Sequence, residues 1–205
     1  MTQSATILRT GRKFDQVLRG AREVFMGDGF EGANVDDIAR AAGVSKATLY
    51  SYFPDKRLLF MEVAQTECRL MSERILSMID ETKPAREVLT IAATQLTGFL
   101  VSDFAQKVFR ICMAERDRFP ELGRAFYAAG PENGQRQLCD YLEKAVAAGE
   151  LVIADIPMAA EQFSELCKTR LWTRAAFGIQ NSFTQAEIDE VALQAVDTFM
   201  ARYGA

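Results

Sequence analysis

"AGVSKATLYSYF", residues 42–53, holds one glycine, two serines, a lysine and two tyrosines in twelve positions. Only Leu49 and Phe53 have the spacing of ordinary core residues. On a helix capped by Ser45, Leu49, Phe53 and part of Tyr52 share one face. Lys46, Ala47, Tyr50 and Ser51 share the opposite face, with Thr48 on the shoulder. A short helix that buries so little, yet displays a cation and two phenols, is built to touch something outside itself.

The residues just upstream say what that is. In "GANVDDIARAAG", residues 32–43, Asn34 is a good helix cap, and Asp36 and Asp37 favour the positive helix end. Ile38, Ala39 and Ala42 face inward, and Gly43 is expected to end this short helix in a left-handed conformation. Two short helices joined across a tight turn make a helix-turn-helix. Ala39 serves as the small residue at the crossing and Gly43 as the turn. Ile38, Ala42, Val44 and Leu49 supply the apolar flanks. The outward set then suits a major groove. Lysine donates to guanine edges or phosphate, the methyls of Ala47 and Thr48 meet thymine, and the hydroxyls of Tyr50, Ser51 and Tyr52 reach phosphate. Lys56, just after the next helix start, is expected to clamp the backbone.

Charge supports this locally. The chain carries a net −4, but residues 1–60 hold nine Lys or Arg against seven Asp or Glu, a local +2. Contact with phosphate depends on the local field, so the acidic total does not exclude DNA.

Outward from this unit the periodicity stays helical. Phe14, Val17, Leu18, Ala21 and Phe25 mark one face of a first helix, with Gly27 and Gly29 closing it. A long helix starts near Pro54-Asp55 and runs to about Ile79. Further helices are expected over 84–101, 103–117, 120–129, 132–148, 157–178 and 185–202. The breaks fall at Phe119-Pro120, Gly130-Pro131, Gly149 and Ile156-Pro157. "ELVIAD", residues 150–155, resembles a strand but has no visible second strand, so it is expected as a loop. The fold class is therefore all-α: an N-terminal three-helix helix-turn-helix domain over 1–56, then a C-terminal helical bundle over 57–205.

Other chemistries find little support. Histidine is absent from all 205 residues, which removes the commonest general base and metal ligand. No G-x-S-x-G, phosphate loop or G-x-G-x-x-G occurs. No enzyme activity, catalytic residue, metal or cofactor is expected. A helical-bundle enzyme or carrier would rest on Glu115 with Asp117, which read better as a solvated helix end. Cys68, Cys112, Cys139 and Cys167 sit in apolar helical patterns and read as packed, reduced thiols. No apolar run reaches membrane-spanning length and the start "MTQSATILRTGRKF" has no secretory core, so a cytoplasmic protein without a membrane partner is expected.

In the C-terminal half, Ile188, Val191, Ala192, Ala195, Val196 and Phe199 form a stripe broad for a terminal helix, and the 157–178 segment is also wide-faced. Two such helices suit a four-helix dimer interface. The middle is rich in Phe and Met. Phe109, Met113, Phe126, Phe163 and Trp172 are candidates to line a cavity for a largely apolar ligand.

Residues 29–60, "GFEGANVDDIARAAGVSKATLYSYFPDKRLLF", resemble the DNA-binding domain of TetR-family transcriptional regulators, including the T-L-Y-x-Y-F-x-x-K core at Thr48–Lys56. Residues 108–131 resemble the C-terminal domain of AcrR- and AefR-like members. The resemblance implies an all-helical homodimer whose C-terminal domain binds a small effector and pairs through its last two helices. It also implies a repressor that binds a palindromic duplex operator. A DNA-organising protein without an effector is the alternative within the same fold. Where the family often has Thr or Ser, this chain has Ala33 and Asn34; Asn34 can cap and touch phosphate, and Ala33 cannot.

Overall fold

The computed structural model describes residues 11–205, so the reading of the first ten residues lies outside it. Eleven α-helices run in order through the described residues: α1 Arg12–Gly32, α2 Val35–Ala42, α3 Lys46–Tyr52, α4 Lys56–Met78, α5 Ala85–Leu100, α6 Asp103–Ala114, α7 Pro120–Tyr127, α8 Asn133–Ala147, α9 Ile156–Leu166, α10 Leu171–Ala176 and α11 Gln185–Tyr203. They fall into two compact units. The first takes the described residues up to Glu67 together with Ile111–Phe126; the second takes Cys68–Arg110 and Tyr127–Ala205. The expected boundary after residue 56 is thus not where the compact units divide. The first unit keeps the start of α4 and recruits a segment from far down the chain.

In the first unit, α1 buries Phe14, Val17, Gly20, Ala21, Val24 and Phe25, close to the face read from periodicity. Gly27 does not close this helix. The break comes at Gly29, whose φ of 73° suits a residue without Cβ, and one more turn follows to Gly32. Gly20 has a separate role. A Cβ placed there would lie 2.5 Å from the Ala42 backbone nitrogen, so α1 and α2 meet at a distance only glycine allows. Ala39, expected as the small residue where α2 and α3 cross, is buried. Phe25, Phe30, Phe60 and Phe119 form a ring cluster with centroids 5.2–6.0 Å apart, Phe25 stacked on Phe30 and the other pairs edge-to-face. Asp55 caps α4 by accepting from the Arg57 and Leu58 backbone N–H groups at 2.7 and 3.1 Å. Burial pushes its carboxyl up, but the Arg57 guanidinium and those two N–H groups outweigh this and hold it below the ordinary value.

The second unit is a helical bundle whose core gathers Leu89, Ala93, Leu142, Ala159, Phe163, Cys167, Ala195, Val196 and Phe199. The α11 stripe is therefore spent inside the protomer: Val191, Ala192, Ala195, Val196 and Phe199 are all buried. It is not the free interface face that its breadth suggested. A helix packed against α5 on one side and α9 on the other needs a wide apolar arc. Leu193, about half exposed, belongs to the outward face. Thr184 and Glu187 form a reciprocal capping box at the start of α11.

Two further expectations are corrected. The 157–178 segment is two helices, α9 and α10, separated at Cys167–Arg170, where Arg170 takes a φ of 65° with no glycine or proline to announce it. Gly130-Pro131 is not an open break: a π-helical turn, Ala128–Glu132, follows α7, holds Pro131 and runs directly into α8. The "ELVIAD" segment is a loop, as expected, pinned by one isolated bridge. Leu151 bridges Gly204 antiparallel, with Val152 N–H donating to the Tyr203 carbonyl at 2.8 Å and Ala205 N–H to the Glu150 carbonyl at 3.1 Å. The four cysteines are free thiols. Burial pushes Cys167 up to about 12, against the opposing pull of Thr97 and Lys168, which suits packing and not redox sensing.

Candidate nucleic-acid interface

The helix-turn-helix is set by three local devices. The Asn34 side chain accepts from the Asp37 N–H at 2.9 Å and starts α2. Gly43, at φ 64° and ψ 34°, ends it, while Val44 N–H reaches back to the Ala39 carbonyl at 3.0 Å. Ser45 then caps α3 by accepting from Thr48 N–H at 3.1 Å. Leu49 and Phe53 are buried, and Phe53 stacks on Phe14 of α1 at 5.6 Å. Tyr52 is half-buried and meets the same ring edge-on at 5.8 Å.

The outward face is as the spacing proposed. Ser45, Lys46, Ala47, Tyr50 and Ser51 are exposed and Thr48 is half-buried at the shoulder. Tyr50 keeps 48% of its surface in solvent, high for an aromatic. Several polar groups are already engaged. Ser45 and Thr48 hydroxyls are 2.9 Å apart, and Ser51 donates to the Thr48 carbonyl at 2.6 Å. Lys46 pairs with Asp36 of α2 at 2.5 Å, both more than half exposed. Such a pair contributes little and yields readily to a stronger anion.

Lys56 differs from the expected free cation. Its ammonium donates to the carbonyls of Phe30 at 2.6 Å, Ala33 at 2.9 Å and Glu31 at 3.4 Å. It also sits 4.7 Å over the Phe30 ring. The last turn of α1 leaves carbonyls without helical partners at its negative end, and Lys56 satisfies them. Ala33 is buried beneath this turn. Arg57, which the sequence reading passed over, pairs with Asp55 at 2.8 Å and Glu121 at 3.3 Å.

The five candidate ligand residues are divided between the two compact units. Phe109 and Trp172 meet edge-on at 5.2 Å in the second unit. Phe163 is core, edge-on to Phe199 at 5.3 Å. Met113 and Phe126 belong to the first unit, Met113 half exposed. A groove of about 120 Å³ lies on the second unit instead, lined by Leu166, Thr169, Arg170, Glu190, Gln194 and Thr198 among others. No group of three metal-ligating side chains occurs among the described residues. No single described helix is long and apolar enough to cross a membrane.

Comparison with known proteins agrees with this geometry. The sequence pattern of bacterial regulatory proteins of the tetR family matches residues 17–63, and that of the AefR-like transcriptional repressor C-terminal domain matches residues 87–205. A TetR-family regulator from Mesorhizobium loti superposes with a TM-score of 0.85 at 28% identity over 100% of both chains. The flavonoid-responsive regulator FrrA is 35% identical, with a TM-score of 0.77, over 95% of this chain and 98% of its own. The transcriptional activator FasR of Mycolicibacterium smegmatis is 33% identical over 88 residues, 43% of this chain and 40% of FasR. This chain thus spans less than half of that curated relative. With one family pattern on the helix-turn-helix and another covering more than half of the chain, the protein belongs to the TetR family of transcriptional regulators.

Proposed function

We propose that this chain is a repressor that binds a palindromic duplex operator as a homodimer and leaves it when a small effector binds the C-terminal bundle. The observation that carries the reading is the exposed α3 face of Lys46, Ala47, Tyr50 and Ser51 on a helix anchored by buried Leu49 and Phe53. Two such helices in a dimer enter successive major grooves about 34 Å apart. The AefR-like repressor match over residues 87–205 supports repression. The name of FrrA supports an aromatic, largely apolar effector, which the Phe109–Trp172 pair is suited to stack against. The effector acts only through a difference in affinity between the DNA-bound and released states.

Duplex binding should weaken steeply with salt, because each phosphate contact releases counterions. A titration across salt concentrations tests this; affinity that ignores salt, or favours single strands, would overturn the reading. The two lysines should separate. Lys46→Ala should change base preference at one or two positions by about 1–3 kcal/mol each. Lys56→Ala should weaken all duplexes alike and also lower the melting temperature, because it frees three carbonyls at the end of α1. Selection of duplexes from random DNA, beside thermal denaturation, reads both effects.

A further inference from the structure

The Gln106 side chain of α6 is 4% exposed and only half satisfied. Its Nε2 donates to the Leu100 carbonyl at 2.7 Å, at the end of α5. A carbonyl only accepts, so this bond fixes which end of the amide carries the hydrogens. The other end, Oε1, is a buried acceptor with no partner, the only such side-chain atom among the described residues. Buried polar groups are otherwise paired, because an unpaired one is costly to the fold. Thr97, also buried and on α5, shows the usual outcome: its hydroxyl donates to the Cys167 carbonyl at 3.1 Å.

The surroundings of that acceptor are aromatic. Phe109 stands one turn further along α6, on the same side of the helix. It meets Trp172 edge-on at 5.2 Å. Val101, which follows Leu100, packs in one buried cluster with Leu171, which precedes Trp172. Gln106, the end of α5, the start of α10 and Phe109 thus close a ring within the second unit. Both aromatic side chains are only partly buried, so solvent reaches them. The start of α10 is held there under strain: Arg170 takes its φ of 65° and pairs with Glu190 at 2.9 Å. Backbone strain of this kind collects at functional sites. We infer that the second unit binds an aromatic molecule carrying a hydroxyl or N–H donor. Its ring packs on Phe109 and Trp172, and its donor bonds to Gln106 Oε1, which sets the specificity. This deepens the effector reading proposed above and rests on it. A bare hydrocarbon would leave the acceptor unpaired, and a methyl ether would bring a second acceptor against it.

Trp172 is the chain's single tryptophan, so its fluorescence reports this place alone. The probes are para-phenylphenol, biphenyl and para-methoxybiphenyl, titrated into the full chain. On partition alone the hydrocarbon would bind best, since burying a hydroxyl without a partner is unfavourable. The phenol should instead bind at least about tenfold more tightly than either relative. Gln106→Met should bring the three within about threefold of one another. Circular dichroism checks that the variant folds. If it does not, the side-chain amide resonances of Gln106 in the wild type decide. They should shift with the phenol and stay in place with the ether; resonances indifferent to the phenol overturn the inference. A phenol that does not bind, or binds no better than biphenyl, overturns it too, as does a preference that survives Gln106→Met. A phenol that binds as expected but leaves duplex affinity unchanged keeps the site and overturns release by an effector, a separate result.

Discussion

Gly20→Ala is expected to destabilise the DNA-reading unit by roughly 3 kcal/mol, the upper end of the cost of overpacking. The sign is the informative part. In an exposed helix interior the same change stabilises by about 0.8–1.0 kcal/mol. Here the new methyl carbon would stand 2.5 Å from the Ala42 nitrogen and 2.8 Å from its Cα and Cβ. Backbone cannot step aside as a side-chain tip can, so α2 must move off α1, and the α3 reading face moves with it. Operator affinity should fall together with stability. Gly27→Ala is the internal control. It lies in the same helix with nothing within 4 Å of its Cβ position, so it should gain about the ordinary helix increment. Urea denaturation of the two variants decides the matter; equal shifts of one sign would show that the α1–α2 approach is looser than described.

Ala195→Glu is expected to unfold the protomer, not merely to part a dimer. Ala195 is 2% exposed and packs in the core of the second unit. An unpaired carboxylate there should cost on the order of 3–5 kcal/mol. The dimer face must be probed on the outward face of α11. Leu193→Glu changes an apolar residue that is 49% exposed, so the fold should stand while association weakens. Chemical denaturation and sedimentation, run on both variants, separate the two effects. A stable Ala195→Glu protomer would contradict the core assignment, and an intact Leu193→Glu dimer would place the interface on another face.

The reading head was legible because its signals are local. Asn34, Gly43 and Ser45 each act on backbone within five residues of themselves, so their chemistry can be read in order along the chain. What escaped depends on partners far away. Gly20 looks like an ordinary helix glycine until Ala42 arrives beside it. Lys56 looks like a free cation until the end of α1 presents three carbonyls. The Leu151–Gly204 bridge joins residues with no strand pattern on the second side. Arg170 enters a left-handed conformation where no glycine marks the break. The breadth of the α11 stripe was read correctly as apolar and wrongly as free, because periodicity reports that a face is buried and not against what. For the same reason hydrophobicity alone does not separate Phe163 in the core from Phe109 beside Trp172.

Regulators of this architecture invite modular exchange, in which one sensory half is swapped for another to rewire a response. For this chain a single cut along α4 would make a poor seam. It would leave the reading head without Ile111–Phe126 and hand it a foreign segment at Phe119's place against Phe30 and Arg57. A transplant that respects the fold has three seams, near 67, 110 and 126, and carries Ile111–Phe126 along with the head it belongs to.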